Sequence, residues 1–276
     1  MRRPAVRAVA MRGMTARGLA GLFAVSWVVL PGFGLIDLSV TWNADWPQVL
    51  EAGWELFSTV IVGAAFVLIV ARPRASAPAV AQLLVAALSL GVSAVIAEET
   101  RLLWLAGVLA LQIVIVGGLS PNAWYRGMDI SVSRPTVSRP LLLLAGLGVA
   151  PWLAYALHMW ASNRQGRPGD VTLGIVHYSV QGALALALLP VLAALRPDVF
   201  PFLATCAGVA ATYLGLVSVA WPNSLAGLGQ AWSVAAMAWG VALLAVTLAQ
   251  RIRLAPARRT TTRSDRPRQQ PSSLDH

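Results

Sequence analysis

Long apolar runs separated by short polar stretches make up most of this chain. About 20 apolar residues are enough to cross the hydrocarbon core of a bilayer as a helix. Eight such runs can be drawn, over roughly 18–39, 49–71, 79–98, 102–119, 141–160, 171–194, 199–220 and 227–249. The pattern predicts an all-α, polytopic membrane protein with eight transmembrane helices. Its parts would be a basic arm at 1–17, a first four-helix half at 18–119, a loop at 120–140, a second four-helix half at 141–249 and a disordered basic tail at 250–276. The apolar segment from Leu19 is long and no small-residue cleavage site follows it, so it reads as a retained first helix rather than a signal peptide.

One offset recurs along these runs. VAALSLG at 85–91 matches VAATYLG at 209–215, a shift of 124, and the same shift carries Arg72-Pro73 onto Arg196-Pro197. Spans one to four then lie over spans five to eight. Each half would begin and end on the same side, so the two repeats would be parallel and related by an axis along the membrane normal.

Composition strengthens the membrane reading. Of 276 residues, 57% are hydrophobic and only 12% charged, and the mean hydropathy is +0.68, well outside the make-up of a soluble domain. The 21 basic residues are all arginine, and with the alanine and glycine content they suggest a bacterial genome rich in G and C. A lone Cys206 rules out an internal disulfide, and there is no CxxC pair or Cys/His cluster. A zinc finger and a thiol redox centre are therefore excluded, and no cofactor is expected.

The arrangement of charge gives the orientation. Eighteen arginines fall in the N-terminal arm, the even-numbered connections and the tail, while only Arg101, Arg164 and Arg167 fall on the other face. By the positive-inside rule both termini are cytoplasmic, in a bacterial plasma membrane. The formal charge of +10 is mainly this orientation signal. The basic arm and tail can rest on anionic lipid, and without interleaved aromatics the tail is not expected to bind nucleic acid. The acids have the opposite bias: Asp37, Asp45, Glu51, Glu55, Glu98, Glu99 and Asp170 lie on the outer side.

Candidate chemistry gathers there. WNADWPQVLEAGWELF, residues 42–57, leads into the second span with three tryptophans and three acids. Trp42, Trp46, Trp54, Trp160 and Trp221 are expected in the outer aromatic belt, and Asp45 and Glu51 in water. Glu51 and Glu55 are four apart and share a helix face, with Ser58 and Thr59 a turn deeper. Counting from Arg72 at 1.5 Å per residue puts Glu55 about 25 Å above the inner boundary. On the sixth span His177 and Gln181 repeat the spacing, with His177 at a similar depth of about 28 Å. An intramembrane ionisable group needs a partner or water, which makes it a functional candidate. The expected ligand-binding set is therefore Glu55 as acceptor, His177 as its titrating partner, Glu51 and Asp37 at the entrance, and Gln181 deeper in. His158, at the end of its span, is expected to be structural. Trp232 and Trp239, seven apart, read as a packing stripe.

Several chemistries fail on spacing. Glu98-Glu99-Thr100-Arg101 places its arginine two residues after the second glutamate, where CAAX-type intramembrane proteases have it four after. Ala154 and Leu173 stand where that family's FxxxH pattern needs phenylalanine. There is no GxSxG, P-loop or GxGxxG, so a serine hydrolase of that kind and ATP-driven work by this chain are not expected. The expectation is a non-enzymatic transporter or binding protein for a small cation, proton or polar solute. The alternatives are an enzyme or assembly factor acting on a lipid or lipoprotein at the outer leaflet, and a structural subunit. Transport predicts a cavity reaching Gln112 and Gln181; an enzyme on lipid predicts a lateral opening.

Overall fold

In the computed structural model, residues 3–30, 34–43, 45, 48–73, 76–119, 137–164, 177–197, 199–224 and 226–264 are described. They form helices and no strand: α1 (Arg3–Val28), α2 (Gly34–Val40), α3 (Gln48–Ala71), α4 (Ala77–Ala97), α5 (Thr100–Leu119), α6 (Arg139–Arg164), α7 (His177–Leu195), α8 (Pro201–Ala220) and α9 (Gln230–Ser264). Six stretches are long and apolar enough to cross a membrane: all of α3, α4, α5 and α8, with Arg139–Ser162 of α6 and Gln230–Ile252 of α9. The expected first span departs from a single helix, because α1 ends at Val28 and α2 starts only at Gly34. Pro31, in between, lacks the amide proton a continuing helix would use.

Two ends of the predicted spans also differ. α1 is helical from Arg3, so most of the basic arm is continuous with the first helix. α9 stays helical to Ser264, beyond the boundary drawn at 249. Alanine and arginine, which recur in both segments, are among the better helix formers.

α3, α4, α7 and α8 pack on one another in the centre, while α1, α5, α6 and α9 lie around them. Sequential partners are tightly paired: α1 with α3, α4 with α5, α6 with α7 and α8 with α9. The core is continuous, with Leu50, Phe57, Ile61 and Phe66 of α3 meeting Leu83 and Leu90 of α4, Leu189 of α7 and Leu203 of α8. One end of the bundle is tied by Trp160 Nε1 to the Ile96 carbonyl (3.1 Å) and by the Val49 amide to Ser224 Oγ (3.2 Å). The opposite end is tied by Arg17 Nε to the Val70 carbonyl (3.1 Å) and by the Ser138 amide to the Ala194 carbonyl (2.8 Å).

α8 and α9 approach closely through small residues. A Cβ added to Gly208 would lie 2.8 Å from Leu244 Cγ and 2.9 Å from the Gly240 carbonyl oxygen. Small side chains let membrane helices gain dispersion contact where hydrophobic burial offers little. We expect Gly208→Val to destabilise the protein by ~1–3 kcal/mol through overpacking. Gly146→Ala, at a position with nothing within 4 Å of the added carbon, should leave stability unchanged or slightly raised. Thermal unfolding in detergent reads both, and equal midpoints would refute the tight contact.

Candidate functional site

Glu55 is completely buried. A carboxylate taken out of water costs several kcal/mol unless hydrogen bonds or an opposite charge offset it, so its neighbours matter. Thr41, just past α2 and also fully buried, donates from Oγ1 to Glu55 Oε2 at 2.9 Å. The Tyr213 hydroxyl of α8 interacts with both Glu55 and Thr41 and accepts a bond from Trp42 Nε1 at 3.2 Å. The Trp42 and Tyr213 rings also meet edge to face, with centroids 6.5 Å apart. Three elements, α2, α3 and α8, thus converge on one carboxyl group.

Backbone irregularity surrounds it. Directly after Glu55, residues Phe57–Gly63 of α3 take π-helical form, and the Ala64 amide reaches back five residues to the Thr59 carbonyl. Local sequence accounts for this. Thr59 Oγ1 donates to the Glu55 carbonyl oxygen, a back-bond that loosens the helical ladder, and the run Thr59-Val60-Ile61-Val62 crowds the turn with β-branched side chains. The loosened carbonyls are satisfied from α4, where Gln82 Nε2 donates to Ile61 O at 2.7 Å and Val60 O at 3.2 Å. The start of α2 presses onto the same place. A Cβ on Gly34 would sit 2.6 Å from Thr59 Cγ2 and 3.2 Å from Ser58 Cβ, so only glycine permits that approach. π segments and interrupted helices recur at functional sites because they leave polar backbone available.

The expected set is only partly assembled. Glu51 is 7% exposed, so the expectation that it faces water is corrected: the α3 face that carries Glu55 also carries Glu51 into the interior. Gln181 is fully buried, and among the described residues neither of its amide atoms has a hydrogen-bond partner. The backbone of Asp37 lies in α2 and that of His177 opens α7, but both side chains are outside the described residues, so the Glu55 to His177 separation is too. Gln112, expected along a cavity, instead accepts from Trp27 Nε1 at 2.8 Å. Trp54 leaves the expected aromatic belt: it is buried and packs against Trp27 and Phe57, at centroid distances of 6.3 and 6.2 Å. Trp46 lies outside the described residues.

A cavity of about 20 Å³ borders α3 on the side of Gly53, Leu56 and Phe57, the face turned away from Glu55. It has room for about one water. Thr41, Tyr213 and Gln82 were not singled out from sequence. Thr41 sits in a loop and gives no periodic signal, and Tyr213 is a lone tyrosine in an alanine-rich helix. Comparison with known protein families, curated proteins and solved structures finds no match for this chain. The case for the site therefore stands on its geometry.

Removing the Gln82 amide should expose the π segment. Gln82→Leu is expected to cost ~1–3 kcal/mol, the usual penalty for leaving buried acceptors without a donor. Amide exchange across 57–63 should accelerate while that of α5 stays put; unchanged exchange would show that Gln82 does not hold this segment.

Proposed function

We propose that this chain spans a bacterial plasma membrane eight times, with both termini cytoplasmic, and binds or transports a small cation or a proton at Glu55. One observation carries the reading. α1 stops at Val28, the start of α2 at Gly34 meets the π segment of α3, and that segment adjoins a fully buried carboxylate held by hydroxyl groups. Discontinuous helices with an embedded acid are how membrane transporters free polar groups for an ion. Thr41 and Tyr213 suit the task because a hydroxyl can donate to the carboxylate or turn a lone pair toward a bound cation.

In this reading the structure is an occluded form. Trp42 on Tyr213, and Gln48 Nε2 on the Asn43 carbonyl at 3.0 Å, tie residues 41–43 to α8 and to the start of α3 beside the acid. Exchange then requires α2 and residues 41–43 to move. His177 is the proposed titrating partner, with Asp37 and Glu51 on the route in and Gln181 deeper. α2 would complete the first span and α7 the sixth.

The duplication is part of the proposal. α4 starts at Ala77 and α8 at Pro201, separated by the same 124 residues as the sequence matches. The central four helices would then be the second and third of each half, and the outer four the first and last. Contacts of α1 with α5 and of α6 with α9 would be equivalent.

The purified protein in vesicles, with internal pH and sodium or potassium followed by dyes, tests the function. Glu55→Gln should lower the flux at least about tenfold, equivalent to ~1.4 kcal/mol. Tyr213→Phe and Thr41→Val, each removing a hydroxyl while leaving the carboxyl group itself, should have smaller effects of a few-fold. Flux in Glu55→Gln equal to that of the unaltered protein would overturn the proposal.

A further inference from the structure

A second site lies away from Glu55. Between α6 and α9 is a cavity of about 560 Å³, lined by Leu147, Gly148, Pro151, Trp152, Tyr155, His158, Trp232, Ala236 and Trp239 among others. That volume is within the ~300–1,000 Å³ range of ligand pockets. Its walls are apolar and aromatic, and two of its polar groups are engaged with backbone. Tyr155 Oη donates to the Ala226 carbonyl at 2.7 Å and Trp239 Nε1 to the Leu144 carbonyl at 2.7 Å. At one end stands the exposed imidazole of His158.

The geometry points to a phospholipid site, with one acyl chain in the groove and the phosphate-bearing head at His158. Three observations choose this occupant. The groove opens between the two least buried of the six membrane-length helices, so its surroundings are lipid in the proposed topology. From Leu147 to His158 it runs along eleven residues of α6, about 16 Å, or roughly half of the ~30 Å hydrocarbon core. That is the depth of one leaflet. Its open end places an imidazole, a donor to phosphate oxygen in either protonation state, where such a head would lie.

The groove is also held open. Trp152 and Trp239 meet at 6.0 Å between centroids, and a Cβ on Gly148 would fall 2.3 Å from the Trp239 ring, so the glycine lets the indole lie back against α6. A comparison between halves adds a contrast, and this one point rests on the duplication proposed above. The shift of 124 carries Trp27 onto Pro151 and Gln112 onto Ala236. In the first half those positions are joined by the indole to amide bond that ties α1 to α5. In the second half both line the groove. A large side chain and its partner close one site, and small residues leave the other open.

The test uses the full chain in vesicles of phosphatidylethanolamine and phosphatidylglycerol, doped with phosphatidylglycerol carrying a diazirine on one acyl chain. After irradiation, label should concentrate on Leu147–His158 and Trp232–Trp239. Ala236→Trp, and independently Ala235→Phe at an exposed groove position, should each reduce it by about tenfold. Val114→Trp, on the exposed face of α5, should not. His158→Leu should weaken labelling a few-fold while leaving its position unchanged. Label spread evenly over α5, α6 and α9, or unchanged in both groove-filling variants, would overturn the proposal. So would cross-linking of α9 to a second copy that either filling variant abolishes, since a protein helix would then be the occupant. Cation flux through Glu55 is a separate readout, so either proposal can fail alone.

Discussion

The burial of Glu55 sets the terms for its half of the molecule. A carboxyl group among apolar helices must be given hydrogen bonds or an opposite charge, and three separate elements are arranged to do this. Thr41 is delivered by the short helix that starts at Gly34, Tyr213 comes from α8, and the backbone of α3 departs from α-helical form two residues beyond the acid. The departure has its own support in Gln82, whose amide meets the carbonyls of Val60 and Ile61. Gly34 lets the start of α2 reach the π segment. These features form a connected set: loss of the glycine, the amide or the hydroxyl would each disturb the position of the same carboxyl group.

The two sides of the bundle solve the packing of outer helices differently. On one side Trp27 reaches across to Gln112, and Trp54 and Phe57 stack behind it, so the interior is closed by aromatic bulk. On the other, α6 and α9 meet mainly through Trp152 and Trp239 and leave a groove. α8 and α9 are drawn together at Gly208 and Gly240 with no room to spare. That contact fixes α9 against the centre and leaves its other face open toward α6.

The all-helical character and most positions of helices apolar enough to cross a membrane were legible in sequence because they rest on length and apolarity, properties that any local window carries. Six of the eight expected spans correspond to helices of membrane length. The first does not, since α1 ends at Val28 and α2 starts only at Gly34, and the sixth is shorter over its described apolar stretch, Ser179–Leu195. Glu55 was legible as an embedded acid through its spacing from Arg72, and Thr59 through its i, i+4 relation to that acid. Glu51 was misplaced because a helix count gives depth but not which neighbours cover a face. Thr41, Tyr213 and Gln82 escaped for a related reason: each reaches its partner across tertiary space, from positions 14, 158 and 21–22 residues away. Nor could periodicity show that Trp54 packs inward while Trp232 stays exposed, since both sit on apolar helices and differ only in what lies opposite.

If Glu55 is the exchange site, its carboxyl group must be reachable by a small ligand and must respond to it. A hydrophobic carbodiimide, which reacts with protonated carboxyl groups in apolar surroundings, measures this directly when the modified residue is located by mass. Glu55 should be modified, and its modification should slow as pH rises or as the transported cation is added, because either change removes the reactive carboxylic acid. A Glu55 left unmodified at every pH, or modified at one rate whatever the pH and cation, would identify it as a fixed structural group and contradict the account.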